Sequence, residues 1–122
     1  MAMRGFSKYR AIKTKRDGFT FDSKMEAEYY DLLKLREKAG EIAIIGRQCK
    51  VYLTNAKILM KPDFIVRDLK SQEMYYIEVK GVKTSDFAIK LRLWEHYGPA
   101  PLLLVETNRG KIIKETLYKV TL

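Results

Sequence analysis

A chain of 122 residues is long enough for one domain with a hydrophobic core and too short for two. Its hydrophobic content of 47% and charged content of 32% are those of an ordinary globular domain. The formal net charge of +9 indicates a polyanionic partner, most commonly nucleic acid, because the chain shows neither the basic amphipathic helix nor the lipidation signal of a membrane-binding protein.

The first twenty residues form a basic N-terminal arm of a single predicted domain that spans residues 1–122. The first sixteen residues of this arm contain no acidic residue. Their basic residues are Arg4, Lys8, Arg10, Lys13, Lys15 and Arg16. Such an arm is either a solvated tail or a segment that becomes ordered on a phosphate backbone. Because the arm lacks the apolar run of a signal peptide, we expect a cytoplasmic protein of a prokaryotic or phage-infected cell, not a secreted one.

The first predicted helix begins at Ser23 and ends at Gly40. Its expected buried stripe consists of Met25, Tyr29, Leu32, Leu33 and Leu35. Ser23 and Glu26 match a capping box, which gives Glu26 a purely structural explanation. A helical wheel at roughly 100° per residue also places Glu26 inside the apolar arc, where a carboxylate needs a partner. The sequence leaves Glu26 open between a helix cap and an active-site residue.

Three strands are predicted next. The first covers residues 42–53 and is expected to bend at Gly46. It contains Cys49, the one cysteine of the chain, so neither an intrachain disulfide nor a zinc cluster can form. Residues 58–67 and 74–80 are rich in β-branched and aromatic side chains and predict a hairpin.

The length of the loop sets the register of this hairpin. Counting back from Asp68 opposite Glu73 gives the pairs Val66 and Tyr75, Phe64 and Ile77, and Asp63 and Glu78. Directly opposite side chains have Cβ atoms roughly 4.5–5.5 Å apart, where two like charges destabilise the pair. Two facing carboxylates therefore indicate a cation between them, although a slip of one residue would turn Asp63 to the other face.

Lys80 adds a third functional group, because residues two apart project from the same face of a strand. Asp63, Glu78 and Lys80 together suit metal-assisted phosphodiester cleavage, with the carboxylates holding a divalent cation and the lysine activating water or stabilising charge on phosphate. Hard oxygen ligands favour Mg²⁺ or Mn²⁺ over zinc. A surface hairpin with charged residues on its solvent face is the structural alternative.

A short basic loop that contains Lys83 leads into the second predicted helix, which is capped by Ser85 or Asp86 and ends near Tyr97. Its inner stripe is expected to be Phe87, Leu91 and Trp94. Lys90 and Arg92 lie beside this stripe, either as part of a solvated face or as contacts to phosphates.

The end of the chain completes the predicted fold. Residues 102–105 form an apolar run typical of a strand buried on both faces, and residues 111–122 form a short helix or an edge strand. The order of helix, three strands, helix and strand predicts an α/β domain with a mixed central β-sheet flanked by helices.

These segments resemble the PD-(D/E)XK nuclease superfamily. The resemblance rests on Ser23-Lys24-Met25-Glu26, Pro62-Asp63, Ile77-Glu78-Val79-Lys80-Gly81 and the basic second helix with Lys90. It covers residues 23–105 and implies an αβββαβ core like that of restriction endonucleases. In length and basicity the chain is most similar to the archaeal-type and phage Holliday junction resolvases.

The resemblance implies a role for each residue of the motif. Glu26, Asp63 and Glu78 would hold Mg²⁺ with help from the main-chain carbonyl of Val79, and Mn²⁺ would substitute. Lys80 would orient and activate the attacking water. Lys90 would help to bind the phosphate backbone. The resemblance also implies a homodimer, because symmetrical cutting of two strands of a four-way DNA junction needs two active sites.

Two alternatives remain open at this point. The same motif serves restriction- or repair-type nucleases that act on linear or other branched DNA. A non-catalytic DNA-binding module, with a motif that is decayed or coincidental, is the alternative from another functional class, and it predicts salt-sensitive binding without cleavage.

Overall fold

A five-stranded mixed sheet forms the centre of the protein in the computed structural model, which describes residues 13–121. In chain order the elements are β1 (Thr14–Arg16), β2 (Phe19–Phe21), α1 (Lys24–Lys38), β3 (Ile42–Arg47), β4 (Val51–Tyr52), β5 (Leu59–Met60), β6 (Phe64–Asp68), β7 (Met74–Lys80), α2 (Ser85–Tyr97), β8 (Leu102–Asn108) and β9 (Lys111–Tyr118). The central sheet has the order β3-β6-β7-β8-β9, in which β7 and β8 are parallel and all other neighbours are antiparallel. The predicted α/β domain with a mixed sheet and helices is confirmed.

The two helices cover opposite faces of this sheet. Side chains alternate along a strand, so Ile77 and Val105 pack into the cluster that includes α1, whereas Tyr76 and Leu104 pack with α2. Phe87, Leu91 and Trp94 form the buried side of α2, as predicted. Leu104 and Val105 are both fully buried, which confirms that β8 is covered on both faces. Within residues 13–121 neither helix has the length and apolar character needed to cross a membrane.

Strands β6 and β7 form the predicted hairpin in the predicted register. The cross-strand partners include Val66 with Tyr75 and Phe64 with Ile77. The N–H of Asp68 donates to the carbonyl of Glu73 at 2.9 Å and closes the turn. The single strand predicted for residues 58–67 is wrong, because β5 and β6 are separated at Pro62, which has no N–H for a ladder. Asp63 therefore lies directly before β6.

Helix α1 has the predicted ends. The Ser23 hydroxyl accepts a hydrogen bond from the N–H of Glu26 at 3.0 Å, which makes Ser23 the N-cap. Gly40 follows the helix with φ of 79°, a left-handed conformation that glycine adopts without strain. Helix α2 is capped by Thr84, one residue before the predicted Ser85, because the Thr84 hydroxyl accepts from the N–H of Phe87 at 3.2 Å.

The buried face of α1 is rotated relative to the predicted stripe. Leu32 and Leu35, which were expected in the core, are 41% and 66% exposed. The rotation follows from an aromatic cluster in which the ring of Tyr30 lies 5.0 Å from that of Phe21 and 6.2 Å from that of Phe64. These contacts turn the side of the helix that carries Glu26, Ala27 and Tyr30 towards the sheet.

The strand predicted for residues 42–53 divides into β3 and β4. The ladder between β3 and β6 shifts register between Ile44 and Gly46, so the predicted bend at Gly46 is confirmed. At the other end of the chain, β9 resolves the alternative between a short helix and an edge strand, because it pairs with β8 along the edge of the sheet.

Candidate active site

Three acidic side chains from three different segments are buried next to one another. Glu26 comes from the first turn of α1, Asp63 from the residue before β6, and Glu78 from β7. Their exposed fractions are 5%, 7% and 9%. Acidic side chains are almost never buried to this degree without partners, so each carboxylate is expected to contact groups that compensate it.

Asp63 is the most heavily bonded of the three. Its Oδ2 accepts a hydrogen bond from the N–H of Val79 at 2.8 Å, and its Oδ1 accepts from Nε2 of Gln48 at 3.0 Å. Burial, followed by the charges of Glu78 and Glu26, raises the pKa of Asp63 to about 8. The bonds from Val79 and Gln48 oppose this rise without cancelling it.

The carboxylate of Glu26 faces the same group of residues. Its Oε2 accepts from Nε2 of Gln48 at 3.2 Å and lies 3.7 Å from Nη2 of Arg47. Burial is the main cause that raises the pKa of Glu26, and the negative charge of Asp22 adds to it. The main-chain N–H of Glu26 donates to the Ser23 hydroxyl, a bond that any residue at this position could make. Its carboxylate contacts Gln48 and Arg47, and within residues 13–121 it makes no hydrogen bond back to the N–H of Ser23, as a capping box would require.

Glu78 and Lys80 project from the same face of β7, as their spacing predicts. Nζ of Lys80 lies 3.8 Å from Oε2 of Glu78 and 4.5 Å from the centre of the Phe87 ring, on the first turn of α2. Burial raises the pKa of Glu78 to about 7, although Lys80 works in the opposite direction. Oε1 of Glu78 is buried and makes no hydrogen bond of good geometry to the described residues, although the main chain of Asp63 is near enough to act against the rise in the pKa of Glu78.

This donor set fits a hard divalent cation in its chemistry. Glu26, Asp63 and Glu78 supply carboxylate oxygens, and the unpaired Oε1 of Glu78 is an acceptor that a cation would satisfy. Within residues 13–121, however, no group of three or more acidic, histidine or cysteine side chains is gathered closely enough to hold a metal ion as it stands. The carboxylates face Gln48 and Lys80 instead, so a cation would have to replace these contacts.

Two residues of this cluster, Arg47 and Gln48, were not predicted from the sequence. Arg47 lies between Glu26 and the β1–β2 hairpin, with its guanidinium carbon 4.2 Å from the centre of the Phe21 ring and 5.0 Å from that of Phe19. Gln48 follows it and bonds to both Glu26 and Asp63. The available signal was a pair of long polar side chains directly after the bend at Gly46, which indicates the end of a strand but not the direction of the side chains.

The basic residues predicted to bind DNA come from several segments of the chain. Arg4, Lys8 and Arg10 lie outside the described residues. Lys13, Lys15 and Lys83 are exposed. Arg16 on β1 pairs with Asp31 of α1 at 2.9 Å, so its charge is partly compensated.

Lys90 and Arg92 project from different sides of α2. Residues two apart on a helix point in nearly opposite directions, at roughly 200°. Lys90 is half-buried at the border of the inner stripe of α2, whereas Arg92 is exposed. The structure thus separates two residues that the sequence grouped together.

Comparison with known proteins gives the family of the chain. A family model described as "Protein of unknown function (DUF1064)" matches residues 6–105, which include the whole acidic cluster, Arg47, Gln48 and Lys80. No curated protein matches the chain. Since the family model covers most of the sequence, the protein belongs to the DUF1064 family.

Proposed function

We propose that this protein is a Mg²⁺-dependent DNA endonuclease that hydrolyses phosphodiester bonds in branched DNA such as a four-way junction. The observation that carries the proposal is the burial of Glu26, Asp63 and Glu78 beside one another, with Lys80 at the same place. Neighbouring buried acids either keep a proton, as the raised pKa values of Asp63 and Glu78 indicate, or are compensated by a cation, and strongly perturbed carboxyl groups are characteristic of functional sites. A bound cation explains this arrangement better than a structural role does.

The chain's own residues would divide the work of hydrolysis among them. Glu26, Asp63 and Glu78 would hold Mg²⁺ together with the main-chain carbonyl of Val79. When bound, Mg²⁺ would supply Lewis-acid polarisation of the scissile phosphate. Lys80 is held between Glu78 and the Phe87 ring, where its ammonium group can orient water or stabilise the charge that develops on phosphate. The water oxygen forms a new bond to phosphorus, one P–O ester bond breaks, and the leaving oxygen takes up a proton.

The preference for DNA is supported by the charge of the chain, and the preference for branched DNA by the resemblance to junction resolvases. A net charge of +9 on 122 residues favours association with a phosphate backbone. Exposed Lys13, Lys15 and Lys83 are available for it. We further propose a homodimer, because paired cuts across a junction need two active sites.

The test is cleavage of a labelled four-way junction, compared with a linear duplex of the same sequence, in Mg²⁺ or Mn²⁺. Paired nicks in the junction, lost in Asp63→Asn and Glu78→Gln, are expected. Glu73→Gln is the matched control, because Glu73 is an exposed acid of the same β6–β7 hairpin. Equal cleavage of both DNAs would identify a nuclease of linear duplex, and binding without cleavage in either metal would contradict the proposal.

A further inference from the structure

Gln48 belongs to the acidic cluster and has a backbone conformation that is unfavourable for a residue other than glycine. It lies between β3 and β4 with φ of 51°, in the left-handed region. For a residue other than glycine this conformation costs roughly 1–3 kcal/mol and persists when surrounding contacts hold it. One such contact is the hydrogen bond from its N–H to the carbonyl of Asp63 at 3.2 Å. This backbone conformation directs the side chain of Gln48 towards Glu26 and Asp63.

The amide of Gln48 joins two acids that come from distant parts of the sequence. Its Nε2 donates to Oε2 of Glu26 at 3.2 Å and to Oδ1 of Asp63 at 3.0 Å. A primary amide nitrogen carries two hydrogens, so both are used here on carboxylates. Arg47 approaches Glu26 from another side, at 3.7 Å, and does not bridge the two acids. Among the contacts that the structure describes, the link between Glu26 and Asp63 is made by Gln48.

We propose that Gln48 is a positioning residue of the cation site, an inference that rests on the proposed function. Without a cation, its amide nitrogen donates to the carboxyl groups of both Glu26 and Asp63 and keeps them facing one point. When a divalent cation is present, half a turn of the terminal amide replaces the nitrogen by the amide oxygen, a hard donor suited to Mg²⁺ or Mn²⁺. Gln48 therefore holds the site ready for the cation and then faces the cation itself.

The experiment measures Mn²⁺ affinity by calorimetric titration, which does not depend on cleavage. Gln48→Leu keeps a side chain of similar size but removes both the donors and the oxygen, so we expect Mn²⁺ to bind about 10–100-fold more weakly. Gln48→Glu keeps an oxygen and adds a negative charge. It should bind Mn²⁺ at least as tightly as the native protein, and should unfold at a lower denaturant concentration in EDTA.

Gln72→Leu is the matched control, because Gln72 is also a glutamine in the left-handed region, with φ of 64°, but lies in the exposed β6–β7 turn. Its Mn²⁺ affinity should equal that of the native protein. Unchanged or tighter Mn²⁺ binding by Gln48→Leu would overturn the proposal. If Gln48→Leu does not fold, Gln48→Ser takes its place, because serine is too short to reach both acids, and unchanged Mn²⁺ affinity in that variant would overturn the proposal.

The same titration distinguishes failure of the proposed cation site from failure of the proposed role of Gln48. A native protein that binds no Mn²⁺ would overturn the cation site and the role of Gln48 together. The other outcome is that the native protein binds Mn²⁺ and that this affinity is lost in Asp63→Asn but not in Gln48→Leu. That result would overturn the role of Gln48 alone and would not contradict the proposed nuclease.

Discussion

Replacing Asp63 by asparagine should make the cation-free protein more stable, and increasingly so as the pH rises. The native carboxyl has a pKa of about 8, against an ordinary value of 3.8. The folded state therefore keeps a proton that the unfolded chain has already lost above pH 4. Stability from this group is fully present below pH 4 and is lost as the pH rises through 8.

The size of the effect follows from the same shift in pKa. One pKa unit corresponds to about 1.4 kcal/mol, so a rise from 3.8 to about 8 lowers the free energy of unfolding at pH 8 by about 5 kcal/mol relative to an unshifted group. Asp63→Asn removes this penalty, but an asparagine amide has one oxygen and can accept from the N–H of Val79 or from Nε2 of Gln48, not from both. The donor left without an acceptor costs roughly 1–3 kcal/mol, so a net gain of ~2–4 kcal/mol at pH 8 is expected.

The assay is urea denaturation at pH 5, 6, 7 and 8 in EDTA, for the native protein, Asp63→Asn and the control Glu73→Gln. The native protein and the control should lose stability together as the pH rises, by up to about 1.4 kcal/mol per pH unit from the Asp63 group. The asparagine variant should show a shallower slope. A native profile that is flat from pH 5 to 8, or a slope unchanged in Asp63→Asn, would refute the argument.

Three further outcomes are expected. Mn²⁺ at 100 times its dissociation constant should raise the free energy of unfolding of the native protein by about 2.7 kcal/mol and should leave Asp63→Asn unchanged, as measured by denaturation with and without EDTA. Phe87→Leu removes the ring that lies 4.5 Å from Nζ of Lys80, so single-turnover cleavage should slow about 2–30-fold, in line with a cation–π contact of ~0.5–2 kcal/mol. Gly98→Ala should lower the free energy of unfolding by about 1–3 kcal/mol, because the new Cβ would lie 2.5 Å from Nε1 of Trp94.

Each of these has a control that separates the stated cause from a general loss of structure. Leu91→Met changes a buried residue of α2 on the same side as Phe87, and equal slowing by both variants would show that the effect comes from packing. Gly81→Ala places a Cβ 3.7 Å from Oγ1 of Thr107, an ordinary contact, and should be nearly neutral. Stabilisation of Asp63→Asn by Mn²⁺ as strong as that of the native protein would place the cation elsewhere.

The parts of the fold that could be predicted from sequence depend on local chemistry. The register of β6 and β7 follows from the loop between Asp68 and Glu73, because a tight connection leaves few ways to pair the strands. The ladder ends at Phe64 and Ile77. Asp63 and Glu78 are therefore not paired within it, and only an extension of the same register by one residue places them opposite each other. The shared face of Glu78 and Lys80 comes with the alternation of side chains along β7. The start of α1 at Ser23 follows from capping chemistry.

The parts that could not be predicted depend on contacts between distant segments. Leu32 and Leu35 have the spacing of a buried stripe, but the ring contacts of Tyr30 with Phe21 and Phe64 decide which side of α1 faces the sheet. Gln48 carries no local signal of its role. Its side chain reaches Glu26 and Asp63 because of a bulge in β3 and a left-handed backbone, and neither is specified by a short pattern.

Because the three acids come from separate segments, the acidic cluster requires that all of these segments have been synthesised. Glu26, Asp63 and Glu78 are distributed over more than fifty residues of sequence, and the neighbours that bury them come from α1, β6 and β7. A nascent chain that has emerged as far as β6 already contains two of them but lacks Glu78 and Lys80. In a chain interrupted at that point, the remaining acids are ordinary solvated carboxylates. The acidic cluster therefore cannot form before β7 has been synthesised, and a product that ends before β7 lacks Glu78 and Lys80.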